Sequence, residues 1–391
     1  MASSRGTKGK VVVSGILFWY PLAGVTYQFL HYLIGLRRLG YDPYYIEDSS
    51  RYVYDPNIND LSPDARSNVA TVAPILESYG FGDRWGYQGF GRDGQVFGIG
   101  PEPTRRLYQE AAALLNVTGA QEIRDEHRLC RKRIYIESDP FASQVLAANG
   151  DRKIISAFND HDALFTFGEN IGAADCAIPV GSYRWLPTRQ PVALELWERP
   201  PGDTPLTYRT ITTWSNKGKN VVYGGDTYYW TKDREFLRFV DLPQQRPAAF
   251  ELATNVDDNI RQLLTGHRWL LADPLRISRD IELYRRYIQD ARAEFTVARD
   301  QYVRPNTGWF SDRSACYLAA GRPVITQETG FSKYIPSGKG LYGFRTIEDI
   351  LSAVDAIESD YPGNCQAAKE IAAEYCQAEK VIGSVMERSG L

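Results

Sequence analysis

A helix start that carries a guanidinium among small residues is a common way to hold phosphate. The stretch Thr307-Gly-Trp-Phe-Ser-Asp-Arg-Ser-Ala-Cys-Tyr-Leu-Ala-Ala-Gly-Arg-Pro-Val-Ile325 has that character. Gly308 permits a tight turn, and Ser311 or Asp312 is a natural N-cap. The helix they begin is ended by Gly321 and Pro323. Its first N–H groups lack intrahelical partners, and Arg313 in the first turn can grip a phosphate with two bonds. An ordinary capped helix with a solvent-facing arginine has the same spacing, so spacing alone leaves both readings open.

Further candidates stand after predicted strands. Lys232 can pair with phosphate, and Trp214 and Tyr228 can stack on a base or sugar or fill a core. Asp139 closes a strand before Pro140, and Glu169 follows the next one. Carboxylates at strand C-termini of an α/β domain face the ligand crevice, where one can deprotonate an acceptor hydroxyl. A helix N-cap for Asp139 and a loop salt bridge for Glu169 are the structural alternatives. His161, among Asn159, Asp160 and Asp162, reads as a base or as part of a solvated loop. His31 sits inside a predicted helix and reads as a core or rim histidine, with acceptor binding as the alternative.

The elements that must position these groups alternate. Lys10–Phe18 is an apolar run typical of a buried parallel strand, Thr26–Leu39 has helical periodicity, and Asp42–Glu47 is a second strand. Strands at Arg133–Asp139 and Ala163–Phe167 continue the pattern. Residues 178–192, with three prolines, read as a linker. A second βα series follows, with strands at Tyr208–Thr213, Asn220–Tyr223, Ala248–Ala253, His267–Leu271, Ala293–Ala298 and Pro323–Thr326. The glycine-rich stretch Gly80–Gly100 reads as a loop, aromatic enough to contact an acceptor. Its Gly89-Phe-Gly-Arg-Asp-Gly94 has no preceding strand and is no dinucleotide fingerprint.

Composition narrows the classes. The 391 residues suit two α/β domains, and 43% hydrophobic with 24% charged residues is a globular balance. A net charge of −3 does not indicate nucleic acid as a partner. Five widely spaced cysteines without a CxxC pair argue against zinc. No leader pattern or apolar stretch long enough for a membrane span is evident, so a cytoplasmic location is expected.

The segment ending Ala-Gly-Arg-Pro-Val-Ile, followed by Thr329-Gly330-Phe331, resembles the donor-binding segment of GT-B glycosyltransferases. The resemblance extends in order over most of the chain. It implies two Rossmann-like doubly wound domains facing a central cleft. Residues 1–185 would bind the acceptor, residues 186–362 the nucleotide sugar, and 363–391 would form a C-terminal helix returning to the first domain. It implies transfer of a hexose from a nucleotide-diphosphate sugar to an acceptor hydroxyl or other nucleophile, with no cofactor and no metal. Trp309, Phe310, Ser311, Asp312, Arg313 and Ser314, with Trp214, Tyr228 and Lys232, would form the donor site, and Asp139, His161 and Glu169 are the candidate bases. The paired glutamates of the retaining branch are absent, since Gly308 and Cys316 stand at their positions. A non-catalytic nucleotide- or sugar-binding protein on the same scaffold is the alternative.

Overall fold

The computed structural model describes residues 7–48, 51–89, 94–199, 206–216, 218–246 and 248–391. Val11, Val12 and Val13 are fully buried, as a strand covered on both faces requires. Their strand, Lys10–Ser14, lies inside an eight-stranded sheet. On one side it pairs with Asp42–Glu47, beyond which come Trp85–Gln88 and Val96–Gly98, so the stretch 80–100 expected as a loop carries two sheet strands, one of them directly before Gly89. On the other lie Ala111–Val117, Arg133–Glu137, Ala163–Thr166 and Trp185–Pro187. All pairings are parallel except the one between Trp85–Gln88 and Val96–Gly98. The chain therefore reverses its direction of growth beside Lys10–Ser14, and a crevice opens there. The sheet runs on to Pro187, past the expected boundary at 185 and into the expected linker.

The second half repeats the plan. Thr207–Ile211, Ala249–Ala253 and Leu270–Ala272 form one parallel ladder, and Glu294–Thr296, Val324–Gln327 and Leu341–Phe344 form another. A parallel bridge between Tyr208 and Ala293 joins the ladders, with Arg209 N–H donating to the Ala293 carbonyl at 2.9 Å. The order is again that of a doubly wound sheet, with its reversal between Thr207–Ile211 and Glu294–Thr296. Asn220–Tyr223 does not join this sheet. Val221–Tyr223 and Asp226–Tyr228 form a separate antiparallel hairpin, whose turn residues Gly224 and Gly225 have φ of +62° and +88°.

The chain end returns to the first half. Ala378–Arg388 packs on the Ala23–Arg38 helix, where a side chain on Gly35 would meet Ile382 and Ala378. The C-terminal helix expected within 363–391 is interrupted at Gln377. Val192 pairs with the chain at the break: its N–H donates to the Cys376 carbonyl, and its carbonyl accepts from Ala378 N–H. The crossing segment thus ties the two halves together.

Candidate active site in the interdomain cleft

Two loops set the cleft. In the first half, Glu47 is fully buried, and its carboxylate accepts the N–H groups of Phe18 and Trp19, both at 2.8 Å, and the Tyr45 hydroxyl at 2.6 Å. This fixes the turn leading to the Ala23–Arg38 helix, whose start has no side-chain cap. In the second half, Gly308 has φ +78°, and a Cβ there would sit 2.5 Å from Asn170 N. Asn170 N–H donates to the Thr307 carbonyl at 3.0 Å, so the two halves touch through backbone at this turn. The helix Asp312–Ala319 follows, again without a side-chain cap bond at Ser311. Both helix starts, through Leu22, Gly24, Ser311 and Asp312, line one cavity of about 530 Å³.

Arg313 lies in this cavity wall, but its guanidinium is already engaged. Nε donates to Glu294 Oε1 at 2.5 Å, Nη1 to the Ile211 carbonyl at 2.8 Å and Nη2 to Thr296 Oγ1 at 2.8 Å. These partners belong to the two strands that meet at the reversal, and Glu294 is fully buried. The expected two-bond grip on phosphate is corrected accordingly. The residue clamps the sheet under the cleft floor, and its phosphate-facing capacity is at most one remaining N–H per terminal nitrogen.

Lys232 is different. It is 8% exposed and faces the same cavity, and no hydrogen-bond or ion-pair partner for its ammonium exists among the described residues. Burial lowers its pKa well below the ordinary 10.5, and the nearby Arg313 and Arg299 lower it further. Arg299 also lines the cavity. It stacks on Trp230 at 3.6 Å from the ring centroid and donates to Asp139 at 2.9 Å, while its Nε is buried without a partner. Sequence reasoning missed Arg299, because nothing in Val297-Ala-Arg-Asp300 marks it.

The acidic groups separate as well. Asp312 lines the cleft; burial pushes its carboxyl up to about 7, the Asp139 charge adds to this, and Arg313 opposes it. Asp139 sits at the cleft edge, where Oδ1 accepts from Arg299 and the Tyr302 hydroxyl. Glu169 is turned away into an ion pair with Arg189, and burial raises its pKa. His161 lies in another cavity, of about 570 Å³, because it precedes its strand rather than following it. Its Nδ1 meets the Ala157 carbonyl at 2.6 Å and its Nε2 the Asn116 amide at 3.1 Å, and burial lowers its pKa to about 4. Glu169 and His161 are thus corrected as cleft bases. His31 lines the cleft, but its Nε2 accepts from Trp197 at 3.1 Å and burial lowers its pKa to about 3. It is a neutral structural imidazole.

The expected stacking residues belong to cores. Trp214 stacks on Phe236 at 5.7 Å inside the second half. Tyr228 packs on Phe141 at 4.5 Å, holding the hairpin to the first half. Trp309 donates to the Ser138 carbonyl at 2.9 Å, and the Phe310 carbonyl accepts from Gln190, so both join the halves behind the cleft. Ser314 is fully buried and its hydroxyl has no partner. One set with metal-ligand spacing occurs among the described residues: Asp48, Glu126 and His127. Its donors are taken within the protein, since Asp48 accepts from Gln121 and Arg124, and His127 Nδ1 accepts from Arg124 N–H.

No family model and no curated protein matches the chain. Solved structures do match over nearly its whole length. An alpha-glucosyltransferase in complex with UDP has a TM-score of 0.59 at 8% identity, covering 98% of this chain and 100% of its own. HepE from Anabaena, in complex with UDP, has a TM-score of 0.55 at 10% identity, covering 98% and 100%. A glycosyltransferase from Rickettsia africae has a TM-score of 0.53 at 9% identity, covering 98% and 98%. The fold is the α/β GT-B arrangement of these glycosyltransferases. No helix among the described residues is long and apolar enough to cross a membrane.

Proposed function

We propose that the chain transfers a hexose from a nucleotide-diphosphate sugar to an acceptor hydroxyl, with the donor diphosphate bound at Lys232. The observation that carries this reading is the buried, unpartnered ammonium of Lys232 in the cleft. A buried charge without a counter-ion is costly in the free protein, and an anionic ligand removes that cost. The neighbours of the same fold are glycosyltransferases solved with UDP, which makes UDP the first nucleotide to try.

In the reaction the bond between the anomeric carbon and the diphosphate oxygen breaks, and its electron pair stays on the diphosphate. Lys232 and Arg299 offset that growing charge, and the two uncapped helix starts add their positive ends. With cations in this role, no metal is required, and turnover survives a chelator. The acceptor oxygen bonds to the anomeric carbon and its proton leaves to a carboxylate. Asp312 suits this role, because it lines the cleft and titrates near neutrality. Asp139 is the other carboxylate at the cleft edge, already engaged by Arg299.

A thermal-shift screen of nucleoside diphosphates tests the reading. Stabilisation by one base above the others is expected, since ligand binds the folded state alone. Free nucleoside diphosphate is then released from the matching sugar donor in the presence of acceptor. Binding without release under any acceptor would favour the non-catalytic alternative. One neighbour is an alpha-glucosyltransferase in complex with UDP-glucose and DNA, so DNA belongs in the acceptor panel although the sequence does not indicate it.

A further inference from the structure

The cleft continues into a second groove, of about 810 Å³, which shares Asn255, Pro274 and Leu275 with it. The groove runs along the C-terminal ends of Ala249–Ala253 and Leu270–Ala272, and Asn59 of the first half also lines it. Arg261, Arg276 and Arg279 line it, all exposed. Ten arginines between 186 and 362 have carboxylate partners, namely 189, 199, 209, 238, 246, 285, 292, 299, 304 and 313, while Arg234, Arg268, Arg286 and Arg345 have no ion pair among the described residues. The three of the groove have no ion pair or side-chain hydrogen bond among the described residues.

The nearby aspartates bond backbone N–H groups instead of these arginines. Asp273, itself in the groove lining, accepts the N–H groups of Leu275 and Arg276 through Oδ1, at 2.9 and 3.1 Å. Asp257 accepts from Ile260 N–H at 2.9 Å, and Asp280 from Glu282 and Leu283 N–H at 2.8 and 2.9 Å. Each acid caps a helix, and the adjoining guanidinium is left facing the groove. Across from them, the Tyr54 hydroxyl donates to Asn59 Oδ1 at 2.7 Å, and Tyr54 also lines the cleft. The groove therefore leads from three free guanidinium groups to the place where the donor sugar would react.

We propose that this groove receives a small acceptor bearing phosphate groups, held by Arg261, Arg276 and Arg279. The proposal rests on the transferase reading above. Guanidinium groups suit phosphate because they give paired, charge-assisted bonds. The groove's volume is that of a small-molecule site, which favours a compact phosphorylated molecule over a nucleic-acid duplex.

Inorganic tripolyphosphate is the probe, titrated against the full chain with and without saturating UDP. It should bind the UDP-saturated protein, more weakly as salt rises. In the triple variant Arg261→Ala, Arg276→Ala, Arg279→Ala its affinity should fall roughly ten-fold or more, with UDP affinity and thermal unfolding unchanged. The corresponding triple lysine variant should recover part of the binding. Tripolyphosphate that is displaced by UDP, or that binds the triple alanine variant equally well, overturns the proposal. Tighter binding of a 12-base-pair duplex through the same arginines overturns it too, in favour of a nucleic-acid surface. Failure of every nucleoside diphosphate to bind defeats the transferase reading instead, and the arginine comparison is still read on the free protein.

Discussion

The floor and the wall of the cleft each carry a largely buried basic side chain, and the two are in opposite states. Arg313 on the floor has three protein acceptors, one of them the buried carboxylate of Glu294. Lys232 on the wall has none among the described residues. A cation satisfied by its own protein holds the scaffold, and a cation left unsatisfied is available to a ligand. The motif carrying Arg313 is the more legible in sequence, yet the ligand-facing charge we propose is Lys232. Removing each cation therefore breaks a different property.

The largest effect is expected at the floor. Arg313→Ala strands the Glu294 carboxylate, whose Oε2 already lacks a partner. Breaking such a buried pair costs about 3–5 kcal/mol. Urea denaturation should show that loss, and a stability within 1 kcal/mol of wild type, on the order of a surface change, would mean the clamp carries little.

Next comes Lys232→Met. Nucleoside diphosphate affinity should fall by roughly 10- to 150-fold, the worth of one charge-assisted contact. Stability should hold or rise, because a buried charge without a counter-ion is gone. Calorimetric titration and urea denaturation on the same preparation separate the two effects, and unchanged affinity would reverse the comparison.

A smaller effect follows from the lowered pKa of Lys232. Folding is not penalised by this group above 10.5, where it is neutral folded or unfolded. The penalty grows as pH falls below 10.5 to the depressed value, since only the unfolded chain then takes the proton. A bound diphosphate raises the pKa again. Above the depressed value, binding should thus take up a proton and weaken as pH rises. Calorimetry in buffers of different ionisation enthalpy measures that uptake, and Lys232→Met should abolish it.

The smallest effect is expected at His161, in its separate cavity. His161→Gln should leave nucleotide affinity and turnover unchanged. A fall in turnover of about a hundred-fold, the low end of what a general base contributes, would return the imidazole to the chemistry.

Much of the fold was legible because buried parallel strands need runs such as Val11-Val-Val13, and helices between them need caps and periodicity. The hairpin at Val221–Tyr228 was not, since its three-residue strands read as well for a sheet strand. In the site, position relative to a strand separates Asp139 from His161, although Glu169 also follows its strand and turns to Arg189. Asp139 follows its strand and reaches the cleft edge; His161 precedes its strand and does not. Ser311 and Asp312 were readable from capping chemistry. The partners of Arg313 were not, because Glu294, Thr296 and Ile211 are distant in sequence and meet only when the sheet forms.

The most direct test of the account is a crystal structure of the protein with UDP. The account predicts the diphosphate in the interdomain cleft, with an oxygen within about 3.2 Å of Lys232 Nζ and the Arg313–Glu294 pair intact. A diphosphate that instead draws Arg313 off Glu294, or that binds outside the cleft with Lys232 still unpartnered, would contradict it.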